Sequence, residues 1–185
     1  MRTASFRWPL FILAAFLALA RLAPTRAATS LPSGRLVPGS WLSVEGDFDQ
    51  EWALKARQVE PTDERRASLK GPLDEYDPKS GRLRFGSVRL ALDEQTRLED
   101  DAGAPLTRDH LRPGERVKIV LDIEGNPPPR VRRIRLLGGT SPTRRIEGPV
   151  ESLLEDKRHF RFRLAGIEVL SDARTRWVGL PGPLS

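Results

Sequence analysis

A segment of this chain recurs within the chain itself, 75 residues later. Leu36-Val37-Pro38-Gly39-Ser40-Trp41-Leu42-Ser43-Val44 lines up with Leu111-Arg112-Pro113-Gly114-Glu115-Arg116-Val117-Lys118-Ile119. In the same register Lys55 to Val59 lines up with Arg130 to Ile134. A second match has an offset of 77, Leu69-Lys70-Gly71-Pro72-Leu73 with Ile146-Glu147-Gly148-Pro149-Val150, and it continues at 79 from Val88–Arg97 to Ile167–Arg176. A repeat of this kind constrains architecture before any motif is read, because each copy has to be one folded supersecondary unit.

The copies are unequal. Residues 66–138 can be read as a full unit of five strands, whereas residues 28–65 match only its last two strands and residues 139–185 only its first three. Within the full unit, Ser68–Tyr76 and Gly81–Phe85 flank the turn Asp77-Pro78-Lys79-Ser80. Pro presets the turn backbone, and Gly81 can take a positive φ. Ser87–Leu92 alternates Val88, Leu90 and Leu92 with polar or small residues, the period of a strand with one buried face. Thr107–Leu111 is predicted to form one helical turn with Thr107 as N-cap and Pro113-Gly114 as its stop. Strands Glu115–Ile123 and Arg130–Leu137, joined through Glu124–Pro129, complete the unit. Three strands, a short helical link and two strands is the element order of a five-stranded OB-type barrel. The expected class is therefore all-β, with tandem small OB-like barrels. Two-stranded and three-stranded pieces leave open edges, so each half needs a partner. The halves are expected to complete a second, circularly permuted barrel; the alternatives are strands added to the central sheet and pairing between molecules, which would give a homo-oligomer.

On Lys70-Gly71-Pro72, Gly81, Val88, Thr96, Leu111, Pro113-Gly114 and the strand ending Arg132-Arg133-Ile134, the unit resembles a bacterial exported repeat domain, domain of unknown function 5666. The resemblance covers the central unit and each flank by half. It implies an OB-like fold and an exported protein, and brings no activity with it.

Residues 1–27 have the three parts of a secretory signal: Arg2 and Arg7, the apolar run Leu10–Ala20, and Thr25-Arg26-Ala27 before a cut. The mature chain is expected to be periplasmic or secreted, without a transmembrane segment. The formal charge of +6 shrinks accordingly: four of the 31 Lys and Arg lie in that signal with no acid, leaving 27 basic against 25 acidic residues. Such a surface argues for solubility more than for a polyanion partner. The absence of cysteine removes both a disulfide staple and a lipidated N-terminus.

No constellation of residues points to catalysis. His110 and His159 stand alone, with no cysteine and no Gly-x-Ser-x-Gly elbow. Neither those histidines nor the acidic clusters Asp74–Asp77, Glu99–Asp101 and Asp122–Glu124 have the spacing of a zinc or calcium site. No metal or cofactor is expected, and the protein is read as a non-enzyme. The candidate anion- or partner-binding residues are Arg130, Arg132, Arg133 and Arg135, with Arg144-Arg145 nearby in sequence. Such a strand can track an acidic partner, although outward arginines also serve merely to solvate and protect edges. Trp41 and Trp52 are candidate aromatic contacts, and Trp177, which stands where Leu98 stands in the central unit, is read as core. Few aromatics accompany the basic strand, which disfavours nucleic acid and leaves an envelope protein, an acidic glycan or a lipid headgroup as the expected partner. Two functions remain open: a noncatalytic binding or adaptor module, and an architectural domain without a small ligand.

Overall fold

In the computed structural model, residues 36–123, 129–156 and 159–180 are described; the signal reading at residues 1–27 and most of the 124–129 connection lie outside them. The chain is all-β. Thirteen strands are defined among the described residues: β1 (Trp41–Phe48), β2 (Leu54–Pro61), β3 (Ser68–Pro72), β4 (Glu75–Asp77), β5 (Arg82–Phe85), β6 (Val88–Ala91), β7 (Arg97–Glu99), β8 (Arg116–Asp122), β9 (Arg130–Leu136), β10 (Arg144–Asp156), β11 (His159–Leu164), β12 (Ile167–Leu170) and β13 (Arg176–Trp177). Period-2 sequence explains them. Val88, Leu90 and Leu92 are buried while Arg89 and Ala91 are exposed, and in β5 Leu83 and Phe85 are buried between outward arginines.

Two sequence expectations need correction. Ser68–Tyr76 is not one strand, because the chain changes neighbours between Leu73 and Asp74. Leu73 exchanges backbone hydrogen bonds with the Gly114–Glu115 segment, whereas the Asp74 amide donates to the Arg84 carbonyl. The helical turn is a three-residue 3₁₀ turn, Arg108–His110, and the Thr107 side chain does not cap its backbone. The Thr107 hydroxyl instead meets His110 Nδ1 at 2.9 Å.

Strand pairing follows the offsets found in the sequence. β1 pairs with β2 and β10, β10 with β11, β11 with β12, and β12 runs parallel to β2, so these five strands form a closed circuit of pairings. In the central segment β3 pairs with β8, β8 with β9, and β7 runs parallel to β9, while β4, β5 and β6 form a separate sheet. Corresponding pairs occupy corresponding registers: Leu69↔Ile119 and Ile146↔Val44, Ile119↔Ile134 and Val44↔Val59, Leu98↔Ile134 and Trp177↔Val59. Even the bulges correspond, one leaving Arg132 unmatched and the other Arg57. β3 and β10 pair antiparallel with Leu69 opposite Ile146, two corresponding positions, so the central segment and the flanking strands meet about a local pseudo-twofold. One cluster of buried side chains, including Leu42, Leu69, Phe85, Ile119, Ile134 and Ile146, runs through both.

The loops that lead into β7 and β13 are locked alike. Thr96 Oγ1 donates to the Val131 carbonyl at 3.0 Å and accepts the Asp93 amide at 3.1 Å. Thr175 Oγ1 donates to the Ala56 carbonyl at 2.8 Å and accepts the Asp172 amide at 2.9 Å. Thr175 is buried and Thr96 is half-buried, so an unmade bond costs more at Thr175. Thr175→Val, which keeps the shape, is expected to lose about 1–3 kcal/mol in urea unfolding, and more than Thr96→Val. Equal losses at the two positions would show that burial does not set the cost.

Candidate functional site

The outer face of β4–β5–β6 is built almost entirely of charge. Alternation in β5 turns Arg82 and Arg84 outward, and the β5–β6 hairpin sets Arg84 directly opposite Arg89 and Arg82 opposite Ala91. From β4, Glu75 stands opposite Arg84 and Asp77 opposite Arg82. Glu75 answers Arg84 at 2.5 Å, but Arg89 makes no ion pair among the described residues. Like charges directly opposite on neighbouring strands are unfavourable, so the Arg84–Arg89 pair is held at some cost to the sheet.

An open cleft of about 1120 Å³ lies over this face, bounded by Tyr76, Asp77 and Ser80 at one side and by Asp93, Asp122 and Arg130 at the other. A second cleft of about 530 Å³ shares Asp122 and Arg130 with it and runs past Arg66, Arg97, Arg132 and Arg133. Together the two are lined by eight arginines and four carboxylates, so the combined track is cationic. The Arg130 guanidinium, with the Thr96 hydroxyl and the Gln95 amide, holds the Asp93 carboxyl below its ordinary range. Asp77, bonded by the Ser80 hydroxyl and the Lys79 amide, is likewise lowered. Both are anionic at neutral pH. Burial pushes the Tyr76 phenol up, so it stays neutral, and its hydroxyl has no hydrogen-bond partner among the described residues.

The four arginines singled out in the sequence divide. Arg133 and Arg135 both reach Glu99 of β7, at 3.6 and 3.3 Å, and fasten that short parallel strand to β9. Arg130 bonds Asp93 at 2.6 Å and lines both clefts. Arg132, exposed at the bulge, makes no ion pair among the described residues. Trp41 and Trp52 lie apart from them. Trp41 is half-buried with the Arg65 guanidinium 5.6 Å from its ring. The exposed Trp52 carries Arg84 on its ring face at 4.0 Å. Trp177 is half-buried, edge-on to Phe160 at 5.4 Å.

Arg82, Arg84 and Arg89 escaped the sequence reading because they lie on two strands and form one face only once the hairpin register is fixed. The signal that could have found them is the outward alternation of Arg82 and Arg84, followed by Arg89 beyond a two-residue turn. The corresponding face of the flanking circuit carries Arg161, Arg163 and Glu168, and there Glu168 takes the place of Arg89. Glu168 stands opposite Arg163 and pairs with Arg161 at 3.1 Å, while Arg163 reaches Glu151 at 3.9 Å. One face is neutralised and the other is left cationic.

No group of three or more His, Cys, Asp or Glu side chains converges as a metal site among the described residues. No helix there is long and apolar enough to cross a membrane. Comparison with protein-family models, curated proteins and solved structures finds no match to this chain.

Proposed function

We propose that this chain is an exported, noncatalytic binding module of the bacterial cell envelope, made of two interlocked OB-like units and related to the exported repeat domain that its turn residues resemble. Its ligand lies over the outer face of β5 and β6. The observation that carries this reading is the position of the larger cleft: it spans β5 and β6, between the turn around Ser80 and the start of β9 at Pro129–Arg130. In the five-strand reading of the sequence these are the second and third strands, the face that OB-type barrels present to their ligands. The unneutralised Arg89 supports the same face, since a merely solvating surface gains nothing from a cation set opposite Arg84.

An envelope extract from the producing bacterium, added to the isotope-labelled protein, tests this reading. Amide shifts confined to residues 75–91 and 130–133 are the expected result. An extract that leaves those amides unmoved would favour the architectural role.

A further inference from the structure

We infer that the ligand of this face is a linear acidic polysaccharide, held along both clefts by its carboxylates. The inference rests on the binding-module reading above and adds the ligand's chemical class.

Three observations lead there. The first is continuity: the clefts share Arg130 and Asp122, so their cations form one track and not two separate sites. Arg82 and Arg89 in one cleft, and Arg66, Arg97 and Arg132 in the other, make no ion pair among the described residues. A single small anion would engage one end only. A chain bearing a charge on each unit engages both, and each guanidinium can fork onto a carboxylate.

The second is the asymmetry between the two copies of the fold. Arg89 and Glu168 are corresponding residues. At this position the central unit carries a cation with no ion pair among the described residues, and the flanking one an acid paired with Arg161. A general need for solubility would treat both alike.

The third is the poverty of flat ring surface. Among the described residues Tyr76 is the one aromatic lining either cleft, and it is half-buried. One face of Trp52, which lines neither cleft, is taken by Arg84. Single-stranded nucleic acid is held by bases stacked on exposed aromatics along a basic groove, and this track supplies only the groove.

The test uses the protein with an oligogalacturonate of about ten sugars, alongside monomeric galacturonate and an oligothymidylate of about ten nucleotides, a length within the roughly 4–16 nucleotides an OB fold engages. Calorimetric titration is expected to show the oligosaccharide binding at least tenfold tighter than the other two, and weakening steeply with salt. Arg89→Glu and Arg132→Glu are each expected to weaken it about tenfold or more. Arg89→Glu recreates the Arg163–Glu168 arrangement of the other circuit, so its fold has a precedent within this chain. Arg161→Ser, on the neutralised face, is expected to leave affinity unchanged.

Tighter binding of oligothymidylate would overturn the proposal in favour of nucleic acid. Failure of the oligosaccharide while envelope extract still shifts the β5–β6 amides would overturn the polysaccharide and leave the binding module standing. Failure of both probe and extract would remove both.

Discussion

Asp74→Asn is expected to destabilise the protein by about 3–5 kcal/mol, the cost of leaving a buried cation without its partner. Arg144 meets Asp74 through two nitrogens at 2.7 and 2.5 Å, and the Gly86 amide donates to the same carboxylate at 2.6 Å. Both side chains are largely withdrawn from water, 13% and 16% exposed. The Arg144 guanidinium also lies 5.0 Å from the Phe48 ring and 5.1 Å from that of Phe85. Four segments of chain therefore converge on one cation: the end of β1, the β3–β4 junction, the end of β5 and the start of β10. Asparagine keeps the shape and removes the charge, so the loss is electrostatic rather than steric. Urea unfolding of Asp74→Asn, Arg144→Met and the double variant would measure the coupling, and the double is expected to lose clearly less than the sum of the singles. A loss below about 1 kcal/mol for Asp74→Asn would place the pair among solvent-screened surface contacts.

The same carboxylate sets an acid limit. Burial pushes the Asp74 carboxyl up, but the hydrogen bonds from Arg144 and the Gly86 amide, with the charges of Arg144 and Arg84, outweigh it and hold the group below its ordinary range. A carboxyl lowered on folding contributes stability that is complete above the unfolded value of about 3.9 and is lost as pH falls through the folded one. Asp74 thus contributes to acid unfolding below about pH 4, a contribution absent from Asp74→Asn.

The all-β class was legible because alternation is local: Val88, Leu90 and Leu92 declare a one-faced strand without any help from the rest of the chain. What escaped depends on distant partners. The break at Leu73–Asp74 arises because Leu73 bonds to the segment before β8 while Asp74 bonds to β5, a switch that Lys70-Gly71-Pro72 does not announce. The basic strand was visible as Arg130 to Arg135, but which of its arginines are engaged was not. Asp93 and Glu99, which claim three of them, lie 37 and 36 residues from the arginines they hydrogen-bond. Arg84 and Arg89 are close in sequence, yet their opposition exists only in the register of the hairpin. Charge runs are read along a chain, whereas a binding face is assembled across strands.

Gly86→Ala carries the other large expected effect, roughly 2–5 kcal/mol from a positive φ combined with overpacking. Gly86 has φ +59°, and a Cβ there would fall 2.0–2.4 Å from three carbons of the Phe48 ring. That ring is fixed from two other sides, edge-on to Phe85 at 6.3 Å and beneath the Arg144 guanidinium. The chain contains its own control. In the corresponding β11–β12 hairpin the first turn residue is Ala165, at φ +50°, and the fold accepts its methyl group because Gly148 faces it. A positive φ at this turn position is therefore compatible with alanine, and the ring of Phe48 is what forbids it at Gly86. Phe48→Ala in the Gly86→Ala background is expected to recover part of the loss, giving a double variant less destabilised than the two singles added together. Strictly additive losses would mean that the strain sits in the backbone of the turn and that Phe48 does not read the missing side chain. Recovery would identify Gly86 as the point where the end of β1 closes over the central hairpin, beside the Asp74–Arg144 pair that it also helps to hold.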